Sequence, residues 1–592
     1  MQQSLLIILW MLVGGILRFL QLEAKPPWTD EFATMVFSLG NNFTTVPLNQ
    51  VISPETLLQP LRLSANAGIG DVAHLILSQD NHPPLYFVLA HLWLKLFHGT
   101  GEYLSIWVAR SLPTVFGILS VPAFYWLGRV AFASRTAGQL AAAMAAVSPY
   151  AVFLAQEARH YTLAILLGII SLGCCILAAK YIYRGIVLPF SLVFSWILVN
   201  TLGLSVHYFL AITLLTEAMA IAVFIIRFMP KFPPAFWKNC WRLTIVGMGT
   251  VAAGLVWVAL ILPRGYGNQM TGWIGNVYFN ILTILGPIFQ LLAAWVTMLC
   301  LFPVESGNLW VVIISGAMML IFFVWAIPVF WRGCKLNWQQ PEFQVSTKIL
   351  VIAMMSAIAV YLSTAYFLGI DITRGARYHF AYFATFLILT SSSLVYCWDQ
   401  NKQTSNSNLF LQKHLLSDLI KVESFQDKFM ANLRQIFRRD RRSTVIIIWL
   451  VGLLSSLTIV NNLGYRKYYQ PQLLLPIIQK NSNVPVLIAA THESLVQTGE
   501  IMGIAWQLQQ QGKTSDIKFI LISKTGKNPE QANNKLQEIV ENLPRPLDVW
   551  TVNFNAEIAL NSIPTVNLNK CQLDTTNYPY IDGYTYKRYQ CR

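Results

Sequence analysis

Apolar residues along this chain come in long unbroken blocks, with neither the strict alternation of a half-buried strand nor the narrow stripe of a surface helix. Uncharged runs of roughly 18 or more residues, long enough as helix to cross a ~30 Å hydrocarbon core, recur between Leu5 and Val460. Lipid leaves a spanning backbone two ways of satisfying its own polar groups, helix or closed barrel, and continuous blocks fit the helix. The pattern predicts spans near 5–21, 106–128, 136–154, 162–179, 187–205, 208–226, 242–262, 309–330, 349–369, 379–397 and 444–462, eleven crossings in all. Two further apolar segments, 83–98 and 281–302, are set apart; were both to cross, the count would be thirteen. In the first of them His91, Lys95 and His98 recur at helical spacing beside Trp93, which predicts a helix lying in the membrane interface. The first run has no basic leader and no small-residue cleavage site, so it is expected to be retained as a span.

After the last block the pattern changes. Strand-like runs at 484–490, 517–523 and 547–554 bracket helical patterns at 493–510 and 529–541, which predicts a small α/β domain on a short parallel sheet. No glycine-rich phosphate loop follows a strand there, so no nucleotide is expected. The predicted fold class is therefore an all-α polytopic membrane bundle with a small C-terminal external α/β domain. Its expected parts are a transmembrane domain at 1–462 and a soluble domain at 463–592. The former includes a long first loop at 22–105 with interfacial helices and a polar loop at 399–442.

Composition agrees: 55% of the 592 residues are hydrophobic and 12% charged, against about 25% charged in soluble proteins, which excludes an ordinary soluble fold. The net charge of +15 could suggest nucleic acid, but the basic residues sit between spans instead of forming a basic domain, so no nucleic-acid partner is predicted. Their distribution is topological. Arg129, Arg135, Lys180, Arg184, Arg227, Lys231, Lys238, Arg242, Arg332, Lys335, Lys348 and the basic stretch 402–442 fall on one side; Arg159, Arg264, Arg374 and Arg377 fall on the other. The positive-inside rule makes the first side cytoplasmic, with the N-terminus inside and the C-terminal domain outside. Arg438, Arg439, Arg441 and Arg442 read as a flank touching anionic membrane lipid. Of eight cysteines, six lie in or beside spans without metal-ligand spacing. Cys571 and Cys591, in the external tail, are expected to form a disulfide, with two free thiols as the alternative.

The basic-poor side then collects Asp30, Glu31, Asp80, His82, Glu157, Arg159, His160, His207, Arg264, Asp371, Arg374, Arg377 and His379 next to spans. Ionisable groups at a membrane boundary are costly, and several converging from different loops predict a site. A few acids beside Arg, His and Tyr suit an anionic phosphate ligand and one base. Each residue also has an ordinary explanation. Asp30 or Thr29 could cap a helix over 31–38, Arg159 could pair with Glu157, His207 could end a span, and Arg374 with Arg377 could pair with Asp371.

Taken in order, these residues fall into motifs. Pro27-Trp28-Thr29-Asp30-Glu31-Phe32 is followed by Asp80-Asn81-His82-Pro83-Pro84-Leu85-Tyr86, then Ser148-Pro149 with Gln156-Glu157-Ala158-Arg159-His160-Tyr161, then His207-Tyr208, and then Arg374 to Tyr378. Over roughly residues 1–400 the chain resembles the protein O-mannosyltransferase-like enzymes, glycosyltransferase family 39 with the GT-C fold, in the bacterial branch related to lipid A aminoarabinose transferases. The resemblance implies an inverting glycosyltransferase, multi-pass in a bacterial plasma membrane. It would take a polyprenyl-phosphate-linked sugar as donor and act on an external acceptor hydroxyl. Asp30 and Glu31 would be catalytic, with Asp30 as base. His82, Arg159, His160, Tyr161, His207, Arg374, Arg377 and Tyr378 would hold the donor's phosphate and sugar. The protein-mannosylating branch has an acid a few positions after the matching Arg, where Thr162, Leu163 and Ala164 stand here, so a glycolipid or glycan acceptor is expected over a protein. No metal is expected to be required; a divalent cation near His82, Glu31 and His207 is the alternative. A transporter or flippase of lipid-linked sugars is the competing function, and it would need inverted repeats and charges at the bilayer midplane.

Overall fold

The computed structural model describes residues 2–592 except 65, 81, 98–100, 230–232, 262–273, 276–280, 400–441, 513–515, 525–528 and 556–565. Asn81, His98, Lys231, Arg264 and nearly all of the predicted loop 399–442 thus lie outside the described residues. The chain divides into two compact units. Of the described residues, the first takes in those of 2–21, 113–261 and 274–465, and the second those of 22–112 and 466–592.

The protein is a mostly helical, multi-pass membrane protein. Among the described residues eight helices are long and apolar enough to cross a bilayer: Ile106–Phe132, Tyr161–Tyr183, Leu210–Phe228, Phe236–Leu260, Leu309–Gln339, Gln344–Phe367, Ala376–Asp399 and Arg442–Val460. A ninth is added if Arg135–Val147 and Pro149–Ala155, bent by 57°, form one span. Eleven was expected. The difference lies in the blocks at 5–21 and 187–205, whose helices Gln3–Phe19 and Phe190–Val206 stop at 17 residues. Both lie at the short end of the ~17–25 residues that can span a bilayer, so the length test alone separates nine from eleven. The two segments set apart form the shorter apolar helices Leu85–Leu96 and Ile284–Leu299.

The bend in the first unit has a chemical cause. Ser148 leaves the helical region (φ −68°, ψ 119°) and caps the next helix by accepting from the Ala151 N–H, with Pro149 at the first turn. Pro149 has no N–H to offer the carbonyl of Ala145 four residues back. Arg18 supplies the missing donors: Nη2 donates to Ala145 O at 2.9 Å and Nη1 to Ala146 O at 3.0 Å, while Nη1 also reaches Gly14 O at 2.9 Å. Beyond the bend, Gln156 Nε2 donates to the carbonyls of Leu17, Arg18 and Leu20 at 3.0–3.3 Å. Nearby, Gly128 and Gly138 let two backbones touch, since a Cβ on Gly128 would fall 2.8 Å from Gly138 Cα.

The second unit holds a six-stranded sheet: β1 (Val51–Ile52), β2 (Val486–His492), β3 (Ile517–Ser523), β4 (Leu547–Val552), β5 (Cys571–Leu573) and β6 (Tyr586–Cys591), in the order β1-β3-β2-β4-β6-β5. The predicted strands appear as the parallel trio β3-β2-β4. The sheet as a whole is mixed, because β1, β6 and β5 add antiparallel edges. Asn49 anchors β1 by donating its N–H to Leu521 O at 2.8 Å and accepting the Ser523 N–H at 3.0 Å. Cys571 and Cys591 are register partners on β5 and β6, and they form the expected disulfide. On one face Leu487, Ala489, Ile520, Ile522 and Val549 pack against Ala532, Leu536 and Val540 of helix Pro529–Glu541. Helix Leu495–Gln510 opens with a capping box, Ser494 and Gln497.

Candidate active site

In the second unit the Asp30 motif forms helix Thr29–Ser38. Trp28, not Thr29 or Asp30, stands at its cap position, and the Trp28 carbonyl accepts from the N–H groups of Glu31 and Phe32 at 2.9 and 3.0 Å. Asp30 and Glu31 therefore occupy the first turn, where the helix dipole favours negative charge. Glu31 is fully buried and held in a two-pronged pair by Arg110, Nε to Oε1 and Nη2 to Oε2, both at 2.8 Å. Arg110 Nη1 also donates to the carbonyls of Leu22 and Lys25 at 2.8 Å, tying the approach segment to the helix. Asp30 is half-buried.

Two lysines complete this cluster. Lys25 is buried, and desolvation first, then the Arg110 charge, push its pKa down to about 7 against the opposing pull of Glu31. Lys467 sets its ammonium 5.0 Å from the centroid of the Trp28 ring. Burial again lowers its pKa to about 7; Glu31 and Asp30 oppose that fall, while Arg110 and Lys25 add to it.

His82 keeps a local partner, its Nδ1 lying 2.9 Å from Asp80 Oδ1. Pro84 stands at the cap of helix Leu85–Leu96. On that helix two of the three stripe residues reach backbone carbonyls of the protein. His91 is buried with Nδ1 2.8 Å from the Ser38 carbonyl, and Lys95 donates to Ala67 O.

In the first unit the residues after the bend come together. His160 stands at the cap position of helix Tyr161–Tyr183 without a capping hydrogen bond from its side chain, and its ring lies 4.3 Å from that of His207, centroid to centroid. Tyr161 is 5.7 Å from His207, and Phe380 is 5.1 Å from His207 and 5.7 Å from Tyr161. The Arg159 guanidinium lies 5.9 Å from the Tyr161 ring. His207 Nδ1 accepts the Phe209 N–H at 3.1 Å, which places the proton of a neutral imidazole on Nε2. Phe209 packs edge-on to Tyr378 at 4.9 Å, extending the cluster to the Arg374–Tyr378 motif.

That last motif is held by its backbone. Tyr150 Oη donates to the carbonyls of Ala376 and Arg377 at 3.0 and 3.1 Å, and Tyr361 Oη to Tyr378 O at 2.7 Å. Asp371 Oδ1 caps the turn by accepting from the Thr373 N–H at 3.1 Å. Tyr378 is buried, Arg377 is half-buried with its guanidinium 5.2 Å from the Tyr378 ring, and Arg374 is exposed. Arg159, His160, Tyr161, His207 and Tyr378 thus line one neighbourhood of the first unit. Asp30 and Glu31 share a helix turn of the second, and His82 pairs with Asp80 in the same unit.

Sequence reasoning overlooked Arg18, Arg110, Lys25 and Lys467. A signal existed for the arginines: each is a charge within a predicted span, and such charges mark partnered or functional positions. Glu217 carries the same signal. It is buried, with Ser171 Oγ 2.6 Å from Oε2 and Trp196 Nε1 donating to Ser171 Oγ at 3.0 Å, a polar tie between helices in the bundle.

No family model and no curated protein matches the chain. Among solved structures it is similar to ArnT from Cupriavidus metallidurans in the apo state, at 10% identity over 93% of this chain and 93% of that one, with a TM-score of 0.49. It is also similar to the same protein bound to undecaprenyl phosphate, at 10% identity over 92% of each chain, with a TM-score of 0.48. A third is the archaeal oligosaccharyltransferase AglB from Archaeoglobus fulgidus in complex with an inhibitory peptide and a dolichol-phosphate. It matches at 11% identity over 93% of this chain and 69% of that one, with a TM-score of 0.46.

Proposed function

We propose that this protein is an inverting glycosyltransferase that moves a sugar from a polyprenyl phosphate to an acceptor hydroxyl at the external membrane face, with Asp30 as the base. The observation that carries this reading is the division of labour between two adjacent acids. Arg110 takes up both carboxylate oxygens of Glu31 in a buried pair, whereas Asp30, one residue earlier on the same turn, is half-buried and within reach of solvent. Glu31 is then a positioning residue that fixes the turn, and Asp30 is the acid that meets the acceptor.

Asp30 takes the proton of the acceptor hydroxyl as that oxygen bonds to the anomeric carbon, and the bond from that carbon to the phosphate oxygen breaks on the opposite face. The phosphate leaves as a stable anion, so no acid is required on that side, unlike a glycosidase with its two carboxyls. Arg159, Arg374, Arg377 and Tyr378 are assigned to the departing phosphate, because delocalised cations and a phenol match its oxygens. His82, His160, Tyr161 and His207 are assigned to the rest of the donor. The acceptor is assigned as a glycolipid or glycan. Charge asymmetry across the spans supports an external site, as does the Cys571–Cys591 disulfide, a bond that persists in an oxidising compartment.

The test is transfer by purified Asp30→Asn protein, preceded by mass spectrometry of co-purifying lipids to identify the donor. Loss of a positioned base predicts a fall of roughly 10²–10⁴ in rate with folding unchanged. Wild-type turnover in that variant would overturn the assignment.

A further inference from the structure

Lys467 belongs to none of the motifs above. It lies in the segment that follows the last apolar helix, Arg442–Val460, where the chain leaves the membrane pattern. Its ammonium nevertheless sits at the Asp30 turn, 5.0 Å from the ring of Trp28, whose carbonyl anchors the first N–H groups of helix Thr29–Ser38. The charges acting on it are Glu31, Arg110, Lys25 and Asp30, that is, both acids of the turn and both cations around them. A second element of the C-terminal region reaches the same turn by packing. A Cβ on Gly499, in helix Leu495–Gln510, would fall 2.8 Å from Thr29 Cγ2 and 3.4 Å from Thr29 Cα, so the absence of a side chain there lets that helix close on the residue before Asp30. Further along, Gly503 faces the Phe32 ring.

We infer that Lys467 is a positioning residue for the Asp30 carboxylate, so that the C-terminal region completes the transferase machinery instead of capping it passively. The inference rests on the base role proposed for Asp30. A cation–π contact with Trp28 fixes the ammonium laterally, and the two acids of the turn draw it toward their oxygens. A residue serving only to fill space beside Trp28 would be apolar: half-burying an ammonium is already costly, and that cost is justified where its charge is used. With Lys25 and Arg110 it places three cations against the two acids of the turn. Removing one proton from this set leaves it neutral, so the charge that orients Asp30 is sensitive to pH near neutrality.

The experiment compares Lys467→Met and Lys467→Arg full-length proteins with wild type in transfer kinetics across pH 5.5–9. In Lys467→Met, kcat is expected to fall roughly 10- to 100-fold, as for a misplaced reacting group, with donor KM changed by less than about threefold. Lys467→Arg is expected to restore most of kcat and to move the alkaline limb of the profile upward, because a guanidinium keeps its charge. A Lys467→Met protein with wild-type kcat would overturn the proposal. So would a Lys467→Arg protein whose alkaline limb stays where wild type has it, and that result decides the matter even if the Met variant fails to fold. Failure here with an inactive Asp30→Asn protein leaves the base reading standing; an active Asp30→Asn protein removes the base reading itself.

Discussion

Arg110 and Glu31 form a buried pair whose removal can be worked through bond by bond. Arg110 makes four hydrogen bonds, two to the Glu31 carboxylate and two to the carbonyls of Leu22 and Lys25. Arg110→Met strips the pair of its cation and leaves a carboxylate with no exposed surface, together with two carbonyls short of a donor. Breaking a buried pair from one side costs about 3–5 kcal/mol. Glu31→Leu, the mirror change, leaves the guanidinium its two carbonyl bonds but no counter-charge, and falls in the same ~3–5 kcal/mol range. The double variant removes both charges, so what remains is the two carbonyls, about 1–3 kcal/mol each. At the midpoints of these ranges the double protein loses about 4 kcal/mol, no more than either single one, and the cycle shows a coupling of about 4 kcal/mol. Equilibrium unfolding of the purified protein in mixed micelles, titrated with a denaturing detergent and followed by tryptophan fluorescence, gives the three differences. Additive losses in the double variant would refute the description of Arg110 and Glu31 as one mutually neutralising unit.

Three other outcomes follow from the same structure. Lys25 and Lys467, whose folded pKa values near 7 lie below the ordinary 10.5, bind fewer protons folded than unfolded between those two values. Stability should therefore rise as pH increases from about 7 toward 10 and be insensitive to these groups below that window, and Lys25→Met should flatten the rise in a denaturation series. Replacing Cys571 and Cys591, 20 residues apart, with serine should cost about 3 kcal/mol of chain entropy and speed hydrogen exchange in β5 and β6. Arg18→Met should leave the carbonyls of Ala145 and Ala146 short of donors, at about 1–3 kcal/mol each, lowering thermal stability in detergent; an unchanged melting temperature would mean that the bend does not depend on Arg18.

The membrane character of the chain was legible because lipid imposes one requirement on every span, a continuous apolar helix, and composition reports it directly. Span length was less legible. Phe190–Val206 begins after Pro189 and ends before His207, local stops that a hydropathy window averages away. The same averaging hid Arg18 and Arg110, single charges diluted among apolar neighbours, although each organises a bend or a turn. Partners of polar residues were illegible for a related reason: His91 and Lys95 reach protein carbonyls, and helical periodicity cannot tell a carbonyl from water. In the sheet, β2, β3 and β4 stood out as apolar runs. β1 was illegible, since two residues carry no period and their partners Ile520 and Phe519 lie in a distant part of the chain. β6 alternates only weakly between Tyr586 and Cys591. The motif residues were legible as chemistry, but the cations gathered around the Asp30–Glu31 turn were not, because Lys25, Arg110 and Lys467 come from three separate segments.

The base role proposed for Asp30 can be read in one turnover. Single-turnover transfer with the co-purified donor, comparing wild type with Asp30→Asn at equal donor occupancy, tests it most directly. The variant should retain the bound polyprenyl-phosphate sugar and transfer it at least roughly 10²-fold more slowly. Transfer at the wild-type rate from a fully loaded Asp30→Asn protein would contradict it.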